Sequence, residues 1–162
     1  IDKNNVTCKL LRTLKKCNLM DNTEINIILG NQSPWLNEVQ RIAENLPWSV
    51  NIHLDIRNMA EVMTDSDFAI GAGGSTSWER CCLGLPTILI SIADNQSEIA
   101  NALSKSGAAE LIELNKIDED LPKLFLDHKK TLLKMSSMSL ASLKITDGKG
   151  SFAVAKAMGK LN

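Results

Sequence analysis

The amino-acid sequence predicts an α/β protein: a three-layer, doubly wound sandwich on a mostly parallel sheet. Three observations carry that expectation. Short β-rich runs alternate with amphipathic segments of helical length, the order that βαβ units impose. The runs are largely apolar on both faces, as when helices cover both sides of a sheet. A glycine-rich turn joins one of these runs directly to a helix, and ligands of open α/β sheets bind at the carboxyl ends of strands.

The elements follow in order. Asn5 to Lys16 puts Val6, Leu10, Leu11 and Leu14 on one helical face. Ile25 to Leu29 is a strand ended by Gly30. Trp35 to Leu46 is a helix with Pro34 at its start and Leu36, Val39, Ile42, Ala43 and Leu46 turned inward. Val50 to Leu54 is a strand and Met59 to Thr64 a short helix. Asp67 to Ile70 is a strand that runs into Gly71-Ala-Gly-Gly74, and Thr76 to Leu83 is the helix beyond. Thr87 to Ile90 is an almost wholly apolar strand. Gln96 to Ser106 is a helix stopped by Gly107, and Leu111-Ile112 a short edge strand. Ile117 to Leu143 and Ser151 to Leu161 read as helices interrupted near Asp147-Gly148. The chain opens on a helix, with too few residues before it for a strand. The central strand on which such a sheet is usually laid is therefore expected to be missing, and the N-terminus to fall inside a larger protein.

At 162 residues the sequence predicts one domain, residues 1–162, large enough to bury a core without disulfides or metal. Its 18 Lys and Arg against 19 Asp and Glu give a net charge of −1, which argues against a general nucleic-acid surface. No apolar run approaches the length that spans a bilayer. Cys8, Cys17, Cys81 and Cys82 form no CxxC, and the only histidines, His53 and His128, lie far from them in sequence. The cysteines therefore read as small hydrophobes in a reducing cytoplasm, and no metal or cofactor is required. Lys15-Lys16 and Lys129-Lys130 read as solvated helix faces.

The stretch from Ala69 to Glu79, strand then glycine turn then helix, is the most informative. Backbone N–H groups at a helix N-terminus suit phosphate. Gly73 and Gly74 let the backbone approach an anion without a Cβ, and Ser75, Thr76 and Ser77 add hydroxyls. It is neither a P-loop nor the dinucleotide fingerprint, since no Gly-Lys-Ser/Thr follows and position 76 is Thr. A tight turn made for packing alone is the other reading. Glu79 likewise has two: a capping box with Thr76 as N-cap, or a carboxylate turned outward to a ribose diol. Asp94 is either the N-cap of its helix or, with Asn95 and Gln96, part of a sugar site. Trp78 reads as core rather than as a stacking platform. His53 reads as structural or surface, on the sheet face opposite Ile52 and Leu54, and His128 as solvent-exposed.

Asn58 to Met63, Asp67 to Pro86 (with Gly-Ser-Thr-Ser-Trp-Glu-Arg-Cys-Cys-Leu-Gly-Leu-Pro) and Ala93-Asp-Asn-Gln96 closely resemble one family. It is the UDP-sugar hydrolase of bacterial pseudaminic acid biosynthesis, with its spore-coat polysaccharide relatives. Weaker resemblance runs from Asn5 to about Gly150. The region is more distantly similar to the nucleotide-binding half of the peptidoglycan N-acetylglucosaminyltransferase. The resemblance implies the C-terminal, Rossmann-like half of a GT-B fold. It implies a diphosphate held by Gly74, Ser75, Thr76 and Ser77, next to Gly73. Glu79 would bind ribose, Asn95 and Gln96 the sugar, and residues near Ile56 and Met59 the uracil. The implied reaction is hydrolysis of UDP-2,4-diacetamido-2,4,6-trideoxy-β-L-altrose to UDP and free sugar. The family's proposed catalytic histidine belongs to the N-terminal domain, and neither His53 nor His128 matches it. The expected partners are thus a UDP-sugar and that N-terminal domain, with no catalytic residue in this chain. Two alternatives stand beside this reading: the donor-binding domain of a GT-B glycosyltransferase, and a non-catalytic subunit that completes its site with a partner.

Overall fold

The computed structural model describes residue 2 and residues 4–91 and 94–159, the side chains of 94–97 excepted. It divides into two compact units. One is built from Ile1–Val62 and Ile112–Thr131, the other from Met63–Leu111 and Leu132–Asn162.

In the first unit α1 (Val6–Leu14), β1 (Glu24–Leu29), α2 (Leu36–Ala43) and β2 (Ser49–Leu54) alternate, and α3 (Met59–Thr64) follows. β1 and β2 run parallel in the register Ile25↔Val50, Ile27↔Ile52, Leu29↔Leu54. One face therefore carries those six apolar side chains, with Ile27 and Leu29 buried. The other carries Glu24, Asn26, Asn51 and His53, joined in a polar ladder. Asn51 Nδ2 donates to Glu24 Oε1 at 2.6 Å, and His53 Nε2 meets Asn26 Oδ1 at 2.9 Å. His53 thus points away from Ile52 and Leu54, and its ring is a structural member of the strand pair.

Helix α1 is tied to its neighbours through polar anchors as well as through Val6, Leu11 and Leu14. The Thr13 hydroxyl, fully buried, donates to Asp118 Oδ1 at 2.7 Å, and Arg12 and Asn5 both donate to Glu38 of α2. Asp118 belongs to α6 (Ile117–Leu124), whose Ile117 and Leu121 are wholly buried. The Thr13 hydroxyl and two lysines hold the Asp118 carboxyl below the ordinary aspartate range.

The second unit holds β3 (Ala69–Ala72), α4 (Thr76–Cys82), β4 (Thr87–Ser91), α5 (Asp94–Lys105) and most of β5 (Ala109–Glu113). The strands lie in the order β3-β4-β5, and β3 pairs β4 in parallel from Ala69↔Thr87 to Ala72↔Ile90. Ile88, Leu89 and Ile90 are essentially inaccessible to solvent. Cys81, Leu89, Ala100, Leu103, Ala108 and Ala109 form one cluster, with Ile99, Leu111, Ala141 and Ile145 packed on it.

The helices α4 and α5 end alike. Gly84 and Gly107 take φ of 63° and 76°, the left-handed region where a side chain is strained. The following amides, of Leu85 and Ala108, close back onto Arg80 O and Leu103 O. This is the Schellman closure, and it turns each helix straight into a strand.

The fold class expected from the sequence is therefore found, with differences of detail. The strand expected over Asp67–Ile70 sits two residues later, since Gly71 and Ala72 pair with Leu89 and Ile90. Among the described residues the strands fall into two sheets, β1-β2 and β3-β4-β5. The long helical stretch after Ile117 is cut at residues 125–127. Asp127 caps the next helix, α7 (His128–Ser142), its carboxylate accepting from the amide of Lys130 at 3.2 Å. The last helix, α8 (Gly150–Met158), exposes every residue, Phe152 and Val154 among them.

All four cysteines are free thiols. Burial pushes Cys17 from the ordinary 9.0 up to about 11. The folded state therefore favours its neutral form. That stabilisation is fully present below the unfolded thiol's pKa and is lost as pH rises through the folded value. Urea midpoints measured from neutral to strongly alkaline pH should fall in that window for the wild type, and less steeply for Cys17→Ala. Leu89→Ala empties a site closed on every side, and should lower the free energy of unfolding by about 2–5 kcal/mol in the same assay.

Candidate functional site

Strand β3 delivers the chain into the turn between Ala72 and Thr76. Neither Gly73 nor Gly74 has positive φ, so backbone strain does not explain these glycines. Crowding within the chain does not explain Gly74 either, since a Cβ there would meet nothing within 4 Å. The turn is closed by Gly74 N donating to Ala72 O at 3.2 Å and Ser77 N to Gly74 O at 2.9 Å. The amides of Ser75 and Thr76 donate to no group among the described residues, whereas the parallel register turns the Gly73 amide toward β4. Ser75 is exposed and Thr76 half-buried. Ser77, by contrast, is buried, and its Oγ accepts from Arg80 Nη2 at 3.1 Å, so this hydroxyl is turned inward.

The capping box does not form. The N-cap of α4 is Ser75 rather than Thr76, and no side chain caps the helix. Glu79 is exposed and its carboxylate makes no hydrogen bond or ion pair among the described residues. Trp78 next to it is 42% exposed, against the expectation of a core residue. On a short helix whose Ser77, Arg80 and Cys81 face inward, positions 78 and 79 lie on the opposite side.

Arg80 escaped the reading of the sequence as a site residue. The residue is 5% exposed, and its guanidinium lies beneath the turn. Nη2 donates to Ala72 O at 2.8 Å and Nε to Thr76 O at 3.3 Å. Desolvation lowers its pKa, and the nearby Cys81 and Glu79 act in the opposite direction. A Cβ at Gly71 would meet Nη1 at 2.6 Å, so a side chain there would force the guanidinium to shift.

In the first unit a cavity of about 530 Å³ opens at the carboxyl ends of β1 and β2. Asp2, Gly30, Asn31, Gln32, Ser33 and Asp55 line it. Asp2 spans the start of α1, accepting from the amides of Val6 at 2.8 Å and Thr7 at 2.9 Å, and its carbonyl accepts from Trp35 Nε1. Asp55 has φ of 46° and accepts from the Asn31 amide at 3.0 Å. Ile56 follows it, half-buried, and Met59, also half-buried, opens α3. Asn95 and Gln96 lie in α5, outside the residues whose side chains are described. His128 Nε2 meets Asn18 Nδ2 at 3.1 Å on the surface. Among the described residues no three acidic, Cys or His side chains gather as metal ligands, and no helix is long and apolar enough to cross a membrane.

Residues 5–153 match the glycosyltransferase family 28 C-terminal domain. The chain is 31% identical over 93 residues to the spore coat polysaccharide biosynthesis protein SpsG of Bacillus subtilis, covering 57% of this chain and 27% of that protein. It is 33% identical over 91 residues to the uncharacterized protein MJ1062 of Methanocaldococcus jannaschii, covering 55% of this chain and 18% of that one. Among solved structures, MurG of Acinetobacter baumannii superposes with a TM-score of 0.76 at 18% identity, over 96% of this chain and 46% of that chain. WaaG, a glycosyltransferase involved in lipopolysaccharide biosynthesis, superposes with a TM-score of 0.64 at 15% identity, over 96% and 43%. The two superpositions show the fold. The chain spans less than half the length of each of these four proteins.

Asp2→Ala removes two charge-assisted bonds from the first amides of α1. It should cost about 1 kcal/mol in urea unfolding, with the loss of helicity confined to residues 6–14 by hydrogen exchange.

Proposed function

The chain belongs to the glycosyltransferase family 28 C-terminal domain family, and on that premise we propose that it holds the UDP moiety of a nucleotide sugar. The observation that carries this reading is the turn after β3. Two backbone amides there, of Ser75 and Thr76, have no protein acceptor among the described residues, and the space at Gly74 is open. The Ser75 and Thr76 hydroxyls flank them. Such a set of donors suits the oxygens of a diphosphate. Ser77 contributes by bracing the turn from below through Arg80.

Glu79 is proposed to accept from the ribose diol, since its carboxylate is exposed and is not spent on capping the helix. Ile56 and Met59 are assigned to the neighbourhood of the uracil, and Asn95 and Gln96 to the sugar, on the motif resemblance described above.

For the parent protein we propose hydrolysis of UDP-2,4-diacetamido-2,4,6-trideoxy-β-L-altrose. The continuous match from Gly74 to Pro86 and the similarity to a spore coat polysaccharide protein support this over a transferase. Water adds at the anomeric carbon, the C–O bond to the diphosphate breaks, and UDP leaves. Donors at the glycine turn stabilise the charge that develops on the leaving group. The base that activates water is assigned to the N-terminal domain, because the surface pairs of His53 and His128 with asparagine serve the fold.

Calorimetric titration with UDP, UMP, ADP and GDP tests the ligand. UDP should bind most tightly, and Glu79→Ala should weaken it by about 1–3 kcal/mol, one or two hydrogen bonds. Equal affinity in the variant removes the ribose role. The chain by itself should release no UDP from the sugar nucleotide, and turnover at an ordinary enzymatic rate would place the base within these residues.

A further inference from the structure

Arg80 carries a full positive charge into the interior of the second unit, where no carboxylate among the described residues pairs with it. Its partners are two carbonyls and a hydroxyl. Burying a cation with only neutral partners is costly, and the cost is relieved when an anion comes to rest nearby. All three partners, Ala72 O, Thr76 O and Ser77 Oγ, belong to the one segment 72–77. The fork of the guanidinium is thus the underside on which that turn is moulded. Its third nitrogen, Nη1, donates to no described group and lies against Gly71, in the space a Cβ would fill.

We propose that Arg80 is a positioning residue. It holds segment 72–77 in the shape that meets the diphosphate, and its charge makes that segment prefer a charged ligand to its neutral counterpart. The proposal rests on the reading of the turn as the diphosphate seat. It adds a source of selectivity that no exposed side chain supplies: the residue acts through the turn, without touching the ligand. Two features of the sequence then have one cause. Position 71 is glycine to admit the guanidinium, and position 77 is a small hydroxyl residue to accept from it.

The test compares affinities for UDP and for uridine, in the whole chain, for the wild type and for Arg80→Met, Arg80→Lys and Gly71→Ala. Thermal unfolding is recorded on the same samples. In the wild type UDP should bind more tightly than uridine. Arg80→Met should shrink that preference by about tenfold or more while leaving uridine affinity unchanged. Arg80→Lys, which keeps the charge, should restore most of it. Gly71→Ala, which keeps every charge but displaces the guanidinium, should lose UDP affinity in the manner of Arg80→Met. A preference unchanged in Arg80→Met, or UDP and uridine weakening together, marks a purely structural role and overturns the proposal. If Arg80→Met does not fold, a wild-type preference in Gly71→Ala overturns it alone. A wild type that does not distinguish UDP from uridine instead overturns the diphosphate reading itself.

Discussion

The guanidinium of Arg80, bonded to Ala72 O, Thr76 O and Ser77 Oγ, is the interaction on which the candidate site depends. It joins the end of β3, the glycine turn and the first turn of α4 in one set of hydrogen bonds. Without it the turn keeps the short backbone closures of Gly74 N onto Ala72 O, Ser77 N onto Gly74 O and Trp78 N onto Ser75 O. Helix α4 is too short for intrinsic stability, and seven residues do not hold a helix in water without tertiary support. That support comes from one side through Ser77, Arg80 and Cys81, and it leaves Trp78 and Glu79 to face outward.

The same economy governs the ends of the βα units. After α4 and after α5 a glycine in the left-handed region reverses the chain within two residues. The next strand then begins deep in the core, with Leu85 and Ala108 already buried. Short reversals of this kind place β4, with its buried Ile88, Leu89 and Ile90, in the middle of its sheet. In such a sheet the carboxyl ends of the strands are left for polar turns and their ligands.

Much of this was legible in residue order. Periodicity located α1, α2, β1, β2 and β4 to within a few residues, because their apolar positions answer to a single face or to complete burial. It failed where the decisive contact is polar or distant. The break before α7 depends on the Asp127 carboxylate, and the extension of β3 depends on pairing with β4, neither of which hydrophobicity reports. At the site, the glycine turn and Glu79 stood out in sequence because glycines, hydroxyls and an acid lie together. Arg80 did not, because a basic residue in a helix ordinarily points to solvent. The available sign was Gly71, a glycine inside a strand, which implies that something lies close to its backbone. Trp78 misled for the converse reason: its size suggests burial, whereas helix geometry puts it on the outer side.

Strand β1, which among the described residues pairs with β2 alone, has a consequence for dynamics. Successive amides along a strand point to opposite edges. Every second N–H of Glu24–Leu29 is therefore locked in the ladder with β2, and those between are turned to the other edge. The strand thus carries two populations of protons, slow and fast, in alternation, although its backbone is uniform. Such a two-residue beat in isotope exchange would report how the edge is occupied. It would collapse to a single slow rate as soon as another strand came to lie alongside.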